Sequence, residues 1–282
     1  MDSRRFLSAK AFRTSLEERL KTHARKEGMD LQRLRRQVAF DRLLARLFFD
    51  PEGPWVLKGG YAMELEFASA RSTVDIDLTV RRSERTGGTV LRMLRAAVEL
   101  SLHDFFEFRV GQPTMNLATP PYGGSRYPVD AQMDGRSFVK FHVDVSVGDV
   151  LVDPLQKVRC ADWLAFANVA PPLVTVTSRE QQFAEKLHAY TLPRSTPNSR
   201  VRDLVDLVLL VKSNLDRGLL GNAITATFEQ RGTHPFPGEL ASPDASWTVP
   251  FSAHARQCNL GVELQGAFTL VAQVFAQIEK GR

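Results

Sequence analysis

The chain has 282 residues, 43% hydrophobic and 24% charged, with a net charge of +5, enough for one large or two ordinary domains with real cores and a poor composition for a disordered chain. Its apolar runs are only a handful of residues long and its first twenty residues lack the apolar stretch of a signal peptide, so a soluble, cytoplasmic protein without a membrane segment is expected. The two cysteines, Cys160 and Cys258, lack C-x-x-C spacing, which argues against a disulfide framework or a cysteine zinc site and predicts two buried thiols.

The basicity is an N-terminal property. Residues 1–46 hold thirteen Lys/Arg against six Asp/Glu, which leaves the remaining 236 residues near −2. Helical patterns are predicted over 13–27 and 30–49, the second stopped by Asp50-Pro51-Glu52-Gly53-Pro54. In that second helix Leu31, Leu34, Val38, Ala45 and Phe48 fall near one face, with Arg33, Arg36, Arg42 and Arg46 largely off it. Two readings of that basic side are open: an ordinary solvated face, or a surface in which Arg33, Arg36 and Arg42 track the phosphates of RNA by counterion release.

A short strand, "WVL", follows, then a Gly59-Gly60 corner and a helix through "YAMELEFA". "VDIDLTV" alternates at period two, which is strand behaviour with Asp75 and Asp77 on one face. Residues 86–101 read as a helix and "FFEFRV" as a strand. "SRYPVDAQMDGRSFVKFHVDVSVGD" reads as two strands meeting at Asp134-Gly135. In the second of them Val139, Phe141, Val143 and Val145 share one face, and Lys140, His142 and Asp144 the other. From about residue 178 the pattern turns helical, in "SREQQFAEKLHAY", "SRVRDLVDLVLLVK", "NAITATFEQRG" and a last helix near 262–280. Prolines 154, 171 and 172 mark a boundary region around 155–178.

The chemistry lies in three of these features. A glycine pair between a strand and a helix lets the backbone approach a phosphate and aims free N–H groups at it. Carboxylates at i and i+2 of a strand repel one another unless a divalent cation neutralises them. Asp144, isolated among valines on a strand expected to be central, is costly unless it is hydrogen-bonded or serves as a third metal ligand beside Asp75 and Asp77. Together they describe a site for a nucleoside triphosphate and Mg²⁺, with attack at phosphorus. Lys186 lies off the Phe183, Leu187 and Tyr190 stripe, where its ammonium could neutralise departing pyrophosphate, or be an ordinary partner for Glu185 or a solvated surface lysine. Asp203 and Asp206 follow Arg200 and Arg202 at helical ion-pair spacing. His142 and His188, without zinc-ligand spacing to a second His or Cys, are read as structural.

The order G-G, D-x-D and a lone strand Asp resembles the DNA polymerase β-like nucleotidyltransferase superfamily. Within it, "LKGGYAMEL", "RSTVDIDL", "VDVSVGD", "EQQFAEKLHAY" and "SRVRDLVDL" are similar to the abortive-infection toxins of the AbiEii/AbiGii type. The resemblance implies an α+β protein, with a polymerase β-like lobe of mixed sheet and helices over 1–165 and a mainly helical C-terminal lobe over 166–282 that closes over the nucleotide. It implies a bacterial toxin held by a cognate antitoxin, transferring nucleotides from NTP with Mg²⁺ to an RNA acceptor, the tRNA 3′ end in better-understood relatives. Carried onto this chain, it assigns Asp75, Asp77 and Asp144 to the metal, and Lys58, Gly59, Gly60, Ser72, Thr73 and Lys186 to the nucleotide. Lys186 and Asp203 join the carboxylates as catalytic positions. Many relatives carry Ser or Thr after the glycine pair; this chain has Tyr61, which could turn inward to pack. Protein nucleotidylation, phosphotransfer on the same fold, and a non-catalytic nucleic-acid-binding module are the rival readings.

Overall fold

The computed structural model describes residues 6–67, 69–81, 87–117, 123–195 and 198–280. Helix α1 (Ala9–Glu27) begins at Ser8, whose hydroxyl accepts from the Ala11 N–H, and ends at Gly28 in the left-handed conformation. Helix α2 (Leu31–Leu47) is capped by Asp30, whose carboxylate accepts from the Arg33 N–H. These side-chain and glycine caps supply the hydrogen bonds that helix ends lack. Strand β1 (Trp55–Lys58), helix α3 (Gly59–Glu66), strand β2 (Asp75–Val80), helix α4 (Gly87–Val98) and strand β3 (Glu107–Val110) come next. Residue 86, where the α4 helix was expected to start, lies outside the described residues. Strands β4 (Met115–Leu117), β5 (Gly124–Met133), β6 (Arg136–Val147), β7 (Gln156–Arg159) and β8 (Leu173–Val176) complete the sheet. Helices α5 (Arg179–Thr191), α6 (Val201–Val211), α7 (Arg217–Arg231), α8 (Thr248–Gln257) and α9 (Leu264–Lys280) end the chain. None of the described helices is long and apolar enough to cross a membrane.

The sheet runs β3-β5-β6-β2-β1-β8-β7, with β4 added on β5. It is mixed: β2 pairs β6 in parallel and β1 in antiparallel fashion, while β1 pairs β8 in parallel. Strand β6 is therefore interior, as its valines require. Ile76, Leu78, Val143 and Val145 are fully buried on one face, which leaves Asp75, Asp77, His142 and Asp144 to the other.

The chain divides into two compact units: one of Met1–Tyr61, Ser72–Gly148 and Lys157–Val176, and one of Ala62–Arg71, Asp149–Gln156 and Thr177–Arg282. In the first, Phe40 meets both Tyr61 and Phe141 edge to face. The second is built on Phe183, Leu187, Leu204, Leu207, Ala223, Phe251 and Val271, all completely buried. Both cysteines are buried and neither is in a disulfide, one lying in each unit.

Two elements depart from the sequence expectation. The Pro-interrupted stretch after Asp153 carries strands β7 and β8, each only four residues long. The basic side of α2 is also not a solvated face. The helix is enclosed by α1, α4, β6 and β8, so Arg42 and Arg46 are each 4% exposed. Both bind Asp104, which is 1% exposed: Arg42 through Nε alone, to Oδ2 at 2.7 Å, and Arg46 by a fork, Nη1 to Oδ2 at 3.0 Å and Nη2 to Oδ1 at 2.8 Å. Arg42 thus leaves the set of expected RNA-binding residues. A guanidinium committed to a buried carboxylate would leave that carboxylate with Arg46 alone if it turned to solvent. Arg33 and Arg36 are half-buried.

Candidate active site

The site grows from the end of β1. Lys58 stands directly opposite Asp77 across the antiparallel β1–β2 pair, and the chain then turns at Gly59, whose φ of +66° favours glycine. A Cβ on Gly59 would lie 2.2 Å from Asp77 Oδ2, and one on Gly60 would lie 2.8 Å from Thr73 Oγ1. Only glycines fit this corner. The Gly60 N–H also donates to Asp77 Oδ2 at 3.4 Å, so the corner wraps the second carboxylate of the D-x-D pair as well as opening an N-terminus to an anion.

Parallel pairing of β2 with β6 sets Asp77 directly opposite Asp144, with Asp75 two residues along the same face. Three carboxylates thus share one patch. Burial, then the charges of Asp75 and Asp144, push the Asp77 carboxyl up to about 6, against the opposing pull of Lys58 and the Gly60 N–H. Thr73 is buried and its hydroxyl donates to Asp75 Oδ1 at 3.1 Å. Half-buried Ser72 donates to the Thr73 carbonyl at 3.4 Å. Thr73 therefore orients a carboxylate instead of presenting a free hydroxyl.

Sequence reasoning missed Arg126. On β5, opposite Asp144, its Nε donates to Asp144 Oδ1 at 2.7 Å and its Nη2 to Asp144 Oδ2 at 2.6 Å, with Asp75 Oδ2 at 3.3 Å. The neighbouring carboxylates raise the guanidinium's pKa. Among the described residues no three His, Cys, Asp or Glu groups form a ready metal cage. The donor set still fits Mg²⁺: hard carboxylate oxygens on adjacent strands, with a cationic group already attracted between two of them.

Tyr61, which follows the glycine pair, is turned inward. It is 1% exposed and its phenol donates to Asp41 Oδ1 at 2.5 Å. Burial pushes the Asp41 carboxyl up to about 7, although hydrogen bonds from Tyr61 and Cys160 and the charge of Arg42 oppose the rise. A cavity of about 590 Å³ in the same unit is lined by residues such as Phe48, Leu102, His103 and Pro172 and by none of the site carboxylates.

Lys186 and Asp203 belong to the second unit. Lys186 is neither solvated nor paired with Glu185: its Nζ lies 2.7 Å from Asp206 Oδ2 and 3.7 Å from Asp203 Oδ1. Arg71 forks onto Asp206 through Nε at 3.1 Å and Nη2 at 2.8 Å. Burial opposes the ammonium, but Asp206 and Asp203 outweigh it and raise the Lys186 pKa. Asp206 is 1% exposed and bonded to two cations, whereas Asp203 stays nearer the surface beside Arg200 at 3.5 Å. His188 is buried, with Thr233 Oγ1 on Nε2 at 2.9 Å, as a structural histidine should be, whereas His142 is exposed.

The family model described as nucleotidyl transferase AbiEii toxin, type IV toxin–antitoxin system, matches residues 42–273. No curated protein matches the chain. Among solved structures, MenT4, a nucleotidyltransferase toxin from Mycobacterium tuberculosis, aligns over 94% of this chain and 98% of its own at 17% identity, with a TM-score of 0.59. JHP933 from Helicobacter pylori aligns over 89% of this chain and 94% of its own at 13% identity, with a TM-score of 0.48. The first of these likenesses shows the fold.

Proposed function

Because the chain belongs to the AbiEii nucleotidyltransferase toxin family of type IV toxin–antitoxin systems, we propose that it moves nucleotides from an NTP onto RNA, at the 3′ end of tRNA, and so blocks translation. The observation that carries this reading is the pairing of Asp77 with Asp144 beside a corner that only glycine can form. Mg²⁺ held by Asp75, Asp77 and Asp144 would supply Lewis-acid polarisation of the phosphate. The chain's own groups do the rest. The N–H groups of the α3 N-terminus beyond Gly60, whose own N–H goes to Asp77, bind phosphate oxygens. Lys58, opposite Asp77, adds positive charge on the same side of the corner. Thr73 fixes the rotamer of Asp75. An ionised carboxylate beside an acceptor hydroxyl can take its proton.

Lys186 and Asp203 are proposed as further catalytic positions, on the strength of the family resemblance. RNA binding is reassigned in part. With Arg42 committed to Asp104, the exposed cations of α1, Lys10, Arg25 and Lys26, join Arg33 and Arg36 as candidates for binding phosphates. The same burial of Arg42 and Arg46 favours one second reading, a protein hydroxyl as acceptor, because it shrinks the basic field. Incubation with each of four labelled NTPs, total RNA and total protein decides between them. Label in a tRNA band supports the first reading, and label only in protein replaces it.

A further inference from the structure

We propose that Arg126 is a built-in counter-cation of the carboxylate site, which a divalent cation must displace to bind. The proposal rests on the metal-binding reading of Asp75, Asp77 and Asp144. Its geometric basis is a β-bulge. The hairpin starts with Met133 opposite Arg136 and Gln132 opposite Ser137, but a register shift between Ala131 and Gln132 sets every later pair one residue on. Without the shift Ser125 would face Asp144; with it, Arg126 does. Facing residues of an antiparallel pair project on the same side of the sheet, so the bulge delivers a guanidinium to the carboxylate face.

Once there, Arg126 engages both oxygens of Asp144 in a two-pronged fork and reaches Asp75 Oδ2 with the same Nη2 that bonds Asp144. Such charge-assisted forks fix geometry as well as charge. The arginine thus does two things a bound cation would do. It cancels repulsion between carboxylates on adjacent strands, and it holds them in place. It also opposes metal binding, because a dication approaching Asp75 and Asp144 meets a positive group already bonded to their oxygens. A metal carried in with a triphosphate meets less opposition, since the phosphate oxygens offer the displaced guanidinium new acceptors. Metal alone should therefore bind weakly, and metal with NTP strongly. Arg126 is a positioning residue in this scheme and sets the order of loading.

The test is Mn²⁺ binding, followed by electron paramagnetic resonance of the free ion, with and without a non-hydrolysable NTP. Circular dichroism verifies that each variant is folded. Arg126→Gln should bind Mn²⁺ at least tenfold more tightly than wild type in the absence of nucleotide, and the enhancement by nucleotide should shrink. Arg126→Lys, which keeps the charge but loses the fork, should fall between them and serves as the test if the glutamine variant does not fold. Unchanged or weaker Mn²⁺ binding by folded variants, with Asp77→Asn still reducing it, overturns the role of Arg126 and leaves the carboxylate site standing. Equal binding by wild type, Arg126→Gln and Asp77→Asn overturns both.

Discussion

Asp77 and Asp144 sit directly opposite each other on parallel strands β2 and β6, and Asp77 is held by the N–H of Gly60 while Asp144 is held by Arg126. Neighbouring carboxylates repel when no metal shares them. Asp77→Asn, nearly isosteric, should therefore leave metal-free stability unchanged or slightly raised while abolishing nucleotide transfer. Thermal melting alongside a transfer assay checks both parts. Wild-type activity in the variant would remove Asp77 from the metal site.

Asp203 and Asp206 lie one turn apart on α6, yet their surroundings predict different phenotypes. Asp206 is buried and bonded to Lys186 and Arg71, so Asp206→Asn breaks a buried pair and should cost roughly 3–5 kcal/mol of stability. Asp203, closer to solvent, should cost under about 1 kcal/mol on change to Asn, while transfer is lost. Urea unfolding with matched kinetics separates the two. If Asp203→Asn were active and Asp206→Asn stable but inactive, the catalytic role would pass to Asp206.

The Tyr61–Asp41 pair predicts a pH dependence of stability. Burial raises the Asp41 carboxyl to about 7 in the folded protein, against about 3.9 unfolded. The folded state therefore binds the proton more tightly, and stability falls as pH rises from about 4 through about 7. The effect is on the order of a few kcal/mol. In Asp41→Asn that part of the slope should vanish. The melting temperature measured from pH 4.5 to 8, wild type against variant, reads it directly; parallel curves would contradict it.

Much of this architecture is legible in the sequence because it depends on local periodicity. Alternation in "VDIDLTV" places Asp75 and Asp77 together, and the valines around Asp144 make β6 interior. What is not legible depends on long-range events. No pattern announces the bulge at Ala131/Gln132, and counting back evenly from the Asp134-Gly135 turn points to Ser125 instead of Arg126. Arg42 reads as a surface cation because its partner, Asp104, is 62 residues away. The four-residue strands β7 and β8 sit among prolines that mimic a linker.

That burial sharpens the expectation for RNA. Arg42→Ala should behave as a stability variant, costing roughly 1.5–3 kcal/mol by removing one of Asp104's two charged partners, with the salt dependence of RNA binding unaltered in the folded fraction. Joint replacement of Lys10, Arg25 and Lys26 by Ala should leave the fold intact. It should lower the logarithmic salt slope by about 0.7 to 0.9 for each RNA phosphate that is no longer neutralised. Filter binding of tRNA across a salt series measures this. A slope insensitive to the triple change would move the RNA surface off α1.

If this carboxylate site extends the 3′ hydroxyl of an RNA, the destination of the label reveals it. Wild type and Asp77→Asn are each given α-labelled NTP and Mg²⁺ with either native tRNA or tRNA whose terminal ribose has been oxidised by periodate, which removes the 3′ hydroxyl and leaves the RNA fold. Label should enter native tRNA with wild type only, and none should enter oxidised tRNA. Label entering oxidised tRNA, or appearing in a protein band in place of native tRNA, would contradict it.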